Sequence, residues 1–378
     1  MNLSELETPC LLLDKQKLEK NISTMHQKLA RLNVPLRPHG KTAKCFEVIR
    51  LALKGQPGGI TVSTLKEAEY YFDHGITDIL YAVGIAPVKL ERIARLQKRG
   101  AAITIILDTL EQIHMVAAAG RRLETTFPAL IELDSDGHRS GITLGDPLLL
   151  ELGHTLNRQA GVALKGVLTH AGGSYDARST DEIRSIAVQE RNVAVGCAQQ
   201  LRNAGLPCPI VSVGSTPTAV FDEDLTGVTE VRAGVFMFYD LFMAGLGVCS
   251  IDDIALSVLG SVIGYQKKKG WIITDTGWMS LSRDRGTARQ KLDQGYGLVC
   301  QPNGSLLSDL IVGSTNQEHG IIQNRQGNAI TYANYPIGSM LRILPNHACA
   351  TAAMHDRYYV VNGDGPEVMD IWYRINGW

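Results

Sequence analysis

Three sets of residues in this sequence have types and spacings that point to chemistry. His39 and Lys41 end one short β-type run, and Thr169 and His170 end another, with Gly172 and Gly173 behind them. Gly214, Ser215 and Thr216 end a third run; Arg232 and Gly234 lie in a fourth, with Tyr239 just beyond, and Arg139 follows a fifth. A primary amine beside a glycine-bearing anion cradle is the arrangement a Schiff base with pyridoxal phosphate requires, because the amine meets the aldehyde while backbone N–H groups hold the phosphate. Taken singly, these residues have plainer readings. Lys41 is a solvated loop lysine, Ser215 an ordinary helix cap before Pro217, Arg139 a surface residue and His170 a core histidine. Their convergence is what makes a site.

The third set is His347 and Cys349 in the stretch Asn346, His347, Ala348, Cys349. If this stretch is extended, the two side chains point to the same face. Imidazole and thiolate are two of the donors zinc prefers, and two protein ligands leave positions open for water or substrate, as a Lewis-acid site needs. On its own, a lone His-x-Cys is a loop histidine and a core cysteine.

Convergence requires a scaffold. Apolar β-type runs recur at 36–41, 59–64, 78–83, 102–108, 129–134, 164–170, 210–215 and 229–236, most separated by amphipathic stretches such as 65–74, 87–99, 110–122 and 181–204. Continuous Val, Ile and Leu runs alternating with helices predict strands covered on both faces, and eight units predict a (β/α)8 barrel. An open doubly wound sheet would carry a glycine fingerprint after its first strand, whereas here the first run ends in His39, Gly40 and Lys41. Active sites of such barrels sit at the C-terminal ends of the strands, which is where the polar residues above fall. After about residue 245 the helical period fades and short β-type runs appear at 254–263, 270–274, 297–300, 330–332, 340–343 and 357–361, separated by Asn and Gly turns. The expected fold is therefore α/β: a cofactor-binding barrel over 1–245 and an antiparallel β domain over 246–378 carrying the His-x-Cys pair. Residues 1–13 are expected to pack with that second domain.

Composition narrows the function classes. The 378 residues carry 37 Lys plus Arg against 38 Asp plus Glu, a net charge of −1, so no bulk field holds nucleic acid or an anionic membrane. No apolar run reaches the ~18 residues of a membrane span, and the first residues lack the apolar core of an export signal. Seven widely spaced cysteines with no CxxC pair suit reduced thiols in a cytoplasm.

Several segments together resemble the fold-type III pyridoxal-phosphate enzymes, the alanine racemase-like barrels. These are Arg37, Pro38, His39, Gly40, Lys41, Thr42; Asp136, Gly137, Arg139, Gly141; Thr169, His170, Ala171, Gly172; Gly214, Ser215, Thr216; and Arg232, Ala233, Gly234. The stretch from Pro345 to Thr351, with Gln317, Glu318, His319 and Gly320, is similar to the branch of D-serine dehydratases and D-threonine aldolases. The resemblance implies roles. Lys41 is the Schiff-base lysine and the base at Cα. Arg139 hydrogen-bonds the cofactor's phenolic oxygen, and His170 lies against its ring. Gly214, Ser215, Thr216 and Gly234 hold the phosphate, with Tyr239 nearby, and Arg232 faces the ring nitrogen. His347 and Cys349 bind the metal. The aldolases typically carry His-x-Asp, a hard set suited to manganese; His-x-Cys is the dehydratase form and favours zinc. The implied activity is a pyridoxal-phosphate- and zinc-dependent D-amino-acid dehydratase. It would convert D-serine or a related D-3-hydroxy amino acid, such as D-threo-3-hydroxyaspartate, to a keto acid and ammonia. The alternative is a metal-dependent D-threonine aldolase. A racemase is disfavoured because its partner-subunit tyrosine motif is absent, and a non-catalytic carrier because such proteins lack the β domain. The resemblance also implies a homodimer, and Trp278, Ser280 and His319 are expected near the substrate side chain.

Overall fold

The computed structural model describes every residue from Met1 to Trp378. The chain forms two compact units, Thr24–Gly234 with Gly377–Trp378, and Met1–Ser23 with Val235–Asn376. Strand β1 (Cys10–Asp14) belongs to the second of these.

The first unit is the barrel. Its strands are β2 (Leu36–Pro38), β3 (Ile60–Val62), β4 (Asp78–Tyr81), β5 (Ala102–Leu107), β6 (Phe127–Leu133), β7 (Val162–Thr169), β8 (Ile210–Val213) and β9 (Glu230–Ala233). They pair in parallel in the order β2-β9-β8-β7-β6-β5-β4-β3. A parallel bridge from His39 to Thr61 joins the two ends. Leu80, Ile106, Leu130 and Leu168 form one of its buried clusters. The helices begin where the chain offers caps. The Thr64 side chain accepts from Glu67 N ahead of Leu65–Asp73, and Thr109 forms a capping box with Gln112 ahead of Leu110–Leu123. Ser179, rather than Asp181, caps the long helix Thr180–Asn203.

Most barrel strands stop short of the runs read from the sequence. The run over 36–41 is a strand only to Pro38, and that over 229–236 only to Ala233, after which Val235–Met237 coils into a 3-10 turn. His39, Lys41, Arg139, His170, Gly214, Ser215, Thr216 and Gly234 therefore lie on the loops leaving the strands, while Thr169 and Arg232 stay within the ladders.

The second unit adds β10 (Leu256–Gln266), β11 (Trp271–Thr274), β12 (Leu298–Cys300), β13 (Leu306–Thr315), β14 (Gly320–Asn324), β15 (Met340–Leu344), β16 (Arg357–Val361) and β17 (Asp370–Tyr373). Their order is β11-β14-β13-β12-β15-β10-β1-β16-β17, and a further β10–β11 pairing closes a ring of strands from β10 through β15. β1 pairs antiparallel to β10 and parallel to β16, the one parallel pair in this sheet. Val235–Met237 and the helix Leu241–Gly245 go with this unit instead of the barrel. Their backbone bonds explain it: Leu241 N donates to Pro345 O (3.0 Å), Phe242 N to Asn346 O (3.1 Å), and Ala255 N to Phe238 O (2.8 Å). The expected strand at 330–332 is irregular chain entering the 3-10 turn Tyr332–Asn334, while β13, β14 and β17 carry no clear apolar run in the sequence. No helix is long and apolar enough to cross a membrane.

Candidate active site

A chain of polar side chains crosses the barrel. Arg37 Nη2 and Nε donate to Asp78 (2.8 Å) and Glu230 (2.7 Å); Ser212 Oγ donates to Glu230 (2.6 Å). Arg232 then donates through Nη1 to Ser212 Oγ (2.6 Å) and through Nη2 to Thr169 O (2.5 Å). Strands β2, β4, β7, β8 and β9 are thereby tied through charged groups, an arrangement stable only because almost every lone pair and proton is matched. Burial lowers the Arg232 pKa to about 10, with Glu230 and Glu190 opposing, so it stays a cation at neutral pH.

At the ends of these strands lie Lys41, His39 and His170. The Lys41 side chain is exposed, and its backbone N–H donates to His39 Nδ1 (3.4 Å). The other His39 nitrogen faces Ser63 Oγ (3.4 Å). His170 Nδ1 lies 2.9 Å from Gly214 O. Burial, with the charges of Lys41 and Arg232, holds His39 well below its ordinary value. Burial, with the Gly214 bond opposing and Lys41 and Arg232 adding to it, takes His170 down to about 3. Both imidazoles are therefore neutral here. Arg139 is exposed and reaches Glu132 (3.4 Å).

The glycine loops are locked from below. Gly214 has φ +128°, and a Cβ there would sit 2.3 Å from Arg232 O, so only glycine fits. Glu190, 1% exposed on the long helix, accepts from Ala171 N (2.9 Å) and Gly214 N (3.0 Å), pinning the loops after β7 and β8 together. Ser215 is the N-cap of Thr216–Phe221, in a capping box with Thr218. The plain cap reading of this turn is realised, and the turn also closes the cradle. An exposed amine, a neutral imidazole, a buried arginine and a glycine turn against a strand end are a donor set that fits pyridoxal phosphate.

Beneath the cradle lies a second buried acid. Asp222 is 4% exposed, its Oδ2 has no partner, and burial followed by the charge of Glu190 raises it to about 8 from 3.8. Between those values the folded chain holds a proton that the unfolded chain has lost, so stability falls as pH rises through that window, by up to about 1.4 kcal/mol per pH unit. Asp222→Asn should flatten the decline of Tm from about pH 5 to pH 8; a slope equal to that of the parent chain would refute the assignment.

In the β unit the expected extended stretch is not observed. His347 is extended (φ −139°, ψ 106°) but caps the helix Ala348–Ala352, which carries Cys349 in its first turn. Alternation does not bring the pair together; a cap does. Asp240 Oδ2 accepts from Ala348 N (2.9 Å), which starts the turn, and Asn346, 2% exposed, is held by Thr287 (2.7 Å) and Gly295 (2.6 Å). His347 Nδ1 lies 2.6 Å from Asp284 Oδ2, and the same ring hydrogen-bonds Cys349. Burial alone would lower the His347 pKa, but Asp284, Cys349 and Asp240 outweigh it and push it up to about 11. These surroundings favour positive charge. An imidazole and a thiol fit a divalent cation with open positions; no group of three or more His, Cys, Asp or Glu is arranged to hold a metal ion, so the pair would stand as the two protein ligands.

Lys41, Arg139, His170, Gly214, Ser215, Thr216, Arg232 and Gly234 thus lie on barrel loops and strand ends, and His347 and Cys349 lie together in the β unit. Tyr239 falls in the β unit, 7% exposed with φ +49°. The Ser280 hydroxyl is turned to Gly277 O (3.1 Å), Trp278 lies under the Arg283 guanidinium (5.3 Å), and His319 is exposed in the β13–β14 turn. Sequence reasoning missed Glu190, Asp240 and Asp284. Asp284 lies 63 residues before His347, with no motif linking them.

Residues 13–241 match the family model for the alanine racemase N-terminal domain, and residues 255–361 that for a serine dehydratase domain. A D-threo-3-hydroxyaspartate dehydratase of Delftia sp. (strain HT23) is 48% identical over 100% of this chain and 99% of its own. Its solved structure superposes with a TM-score of 0.97, as does a metal-free cysteine-to-alanine mutant of an enzyme of that name. A D-serine dehydratase of Dictyostelium discoideum is 30% identical over 96% of this chain and 95% of its own, and a D-threonine aldolase of Arthrobacter sp. 29% over 98% and 92%.

Proposed function

Because the chain belongs to the family that joins an alanine racemase N-terminal domain to a D-serine dehydratase domain, we propose that it is a pyridoxal-phosphate- and zinc-dependent dehydratase of D-3-hydroxy amino acids, with D-threo-3-hydroxyaspartate as its preferred substrate. The observation that carries this reading is the 48% identity to the Delftia enzyme along the whole chain. The pairing of His347 with Cys349 supports it. When bound, pyridoxal phosphate supplies an electron sink for the Cα carbanion, and zinc supplies the Lewis acid that carries off the β-hydroxyl.

The chain's own residues do the rest. Lys41 would anchor the cofactor aldehyde and move the Cα proton. Gly214, Ser215, Thr216 and Gly234 hold the phosphate, with Glu190 fixing the loop beneath. His170 would lie against the ring as a neutral imidazole, with Arg139 meeting the phenolic oxygen and Arg232 the ring nitrogen. His347 and Cys349 hold the metal, in a homodimer working in a reducing cytoplasm; none of the seven cysteines is in a disulfide.

The test is a product assay. Purified protein given D-threo-3-hydroxyaspartate, D-serine and D-threonine should release keto acid and ammonia, fastest from the first. Glycine plus an aldehyde, without keto acid, would move the reading to an aldolase, which the Arthrobacter relative makes the second reading. No product from any of the three would end both.

Asp284 has a consequence for the metal. By holding His347 Nδ1, it leaves Nε2 as the nitrogen for the ion and orients the ring. Asp284→Asn should weaken zinc affinity by about 10- to 100-fold, read by competition with a chromophoric chelator on the purified protein. Unchanged affinity would mean that the carboxylate only shapes its loop.

A further inference from the structure

A cavity of ≈ 400 Å³ opens in the β unit beside β15 and the start of the helix Lys15–Arg31, lined by Asp14, Lys17, Lys20, Asp252, Arg342 and Asp364 among others. None of these has a part in the cofactor or metal readings above.

Arg342 stands on β15 opposite Leu259 of β10 and Cys300 of β12 and is only 4% exposed. Its Nε and Nη2 have no hydrogen-bond partner. These two nitrogens form one edge of the planar guanidinium, so their N–H bonds point the same way, in parallel. That edge is the fork that matches the two oxygens of a carboxylate or of a phosphate. A buried guanidinium with this edge unpaired is costly, and native chains leave few such groups.

Asp14, the carboxylate whose charge acts most on Arg342, does not complete it. Asp14 Oδ1 is occupied by three backbone donors, Gln16 N (3.0 Å), Lys17 N (3.2 Å) and Gly363 N (3.3 Å). Lys17 adds a second positive charge, while Lys20 is tied to Asp253 (2.8 Å). Asp252 and Asp364, which also line the cavity, disfavour an extended polyanion and leave room for a small one.

We propose that this cavity is a binding site for a small oxyanion, a carboxylate or phosphate group seated on the Nε and Nη2 edge of Arg342, with Lys17 as the second cation. The proposal is independent of the reaction assigned above.

Calorimetric titration of the cofactor-loaded protein with succinate, and separately with inorganic phosphate, should show saturable binding of at least one. Which one binds tells the planar from the tetrahedral oxyanion. Arg342→Met should weaken that binding about tenfold or more, and Lys17→Ala about threefold, with the substrate KM unchanged in both. Circular dichroism checks that the methionine variant is folded; if it is not, Lys17→Ala decides. No saturable binding of either probe would overturn the proposal. So would binding unaffected in the folded variants, or a parallel rise in KM that places the probes in the reaction centre.

Discussion

Lys41→Ala is expected to reduce turnover by about a thousandfold or more, because on the proposed reading one amine would serve both as covalent anchor and as base. The geometry singles it out. Of the two lysines in the loop after β2, Lys44 is paired with Glu67 (3.4 Å), whereas Lys41 stands beside His39 with its side chain exposed and its charge felt by both His39 and His170. The cradle should survive the change, since Gly214 is pinned by Glu190 from another element. The variant should therefore still take up pyridoxal phosphate, but with its visible band shifted from that of the lysine-bound form, and Lys41→Arg should not restore turnover. Turnover within tenfold of the parent, or an unchanged band, would take the role away from Lys41.

The second large effect is expected at Cys349. Cys349→Ala should lose the metal and lower keto-acid release by about a hundred- to a thousandfold, a Lewis acid being worth several kcal/mol of transition-state stabilisation. His347→Ala should do the same, and the double variant should be little worse than either, because both remove one ion. A chelator should reproduce the loss in the parent protein, with zinc restoring it. Cys349→Asp should move metal preference from zinc towards manganese, since a carboxylate is the harder ligand. If elimination proceeds undiminished in metal-depleted parent protein, the assignment of His347 and Cys349 fails.

How legible these features were depends on whether the signal is local. Strands such as Ala102–Leu107 and Phe127–Leu133 announce themselves because burial on both faces demands largely apolar runs, here interrupted only by Thr104 and by Glu132. β13 does not, because its first half is exposed and carries Ser308 and Asp309, and its pairing with β14 is a tertiary event. Lys41, His170 and Gly214 were legible because they follow apolar runs at predictable offsets. His347 and Cys349 were legible as residue types but not as geometry: the expected extended stretch is a capped helix turn started by Asp240, more than a hundred residues earlier in the chain.

By itself, then, the sequence determined the alternation of strand and helix, the rim residues each strand end carries, and the His-x-Cys donor pair. These are set by period, by offset from a run's end and by side-chain chemistry, all of them local. The tertiary structure alone decided that Glu190 ties two loops, that Asp284 orients His347, that Val235–Met237 leaves the barrel, and that Arg342 is buried with one edge of its guanidinium unpaired. Each depends on which distant segment folds against which, and hydrogen bonds that close over tens of residues leave no pattern in the order of the chain.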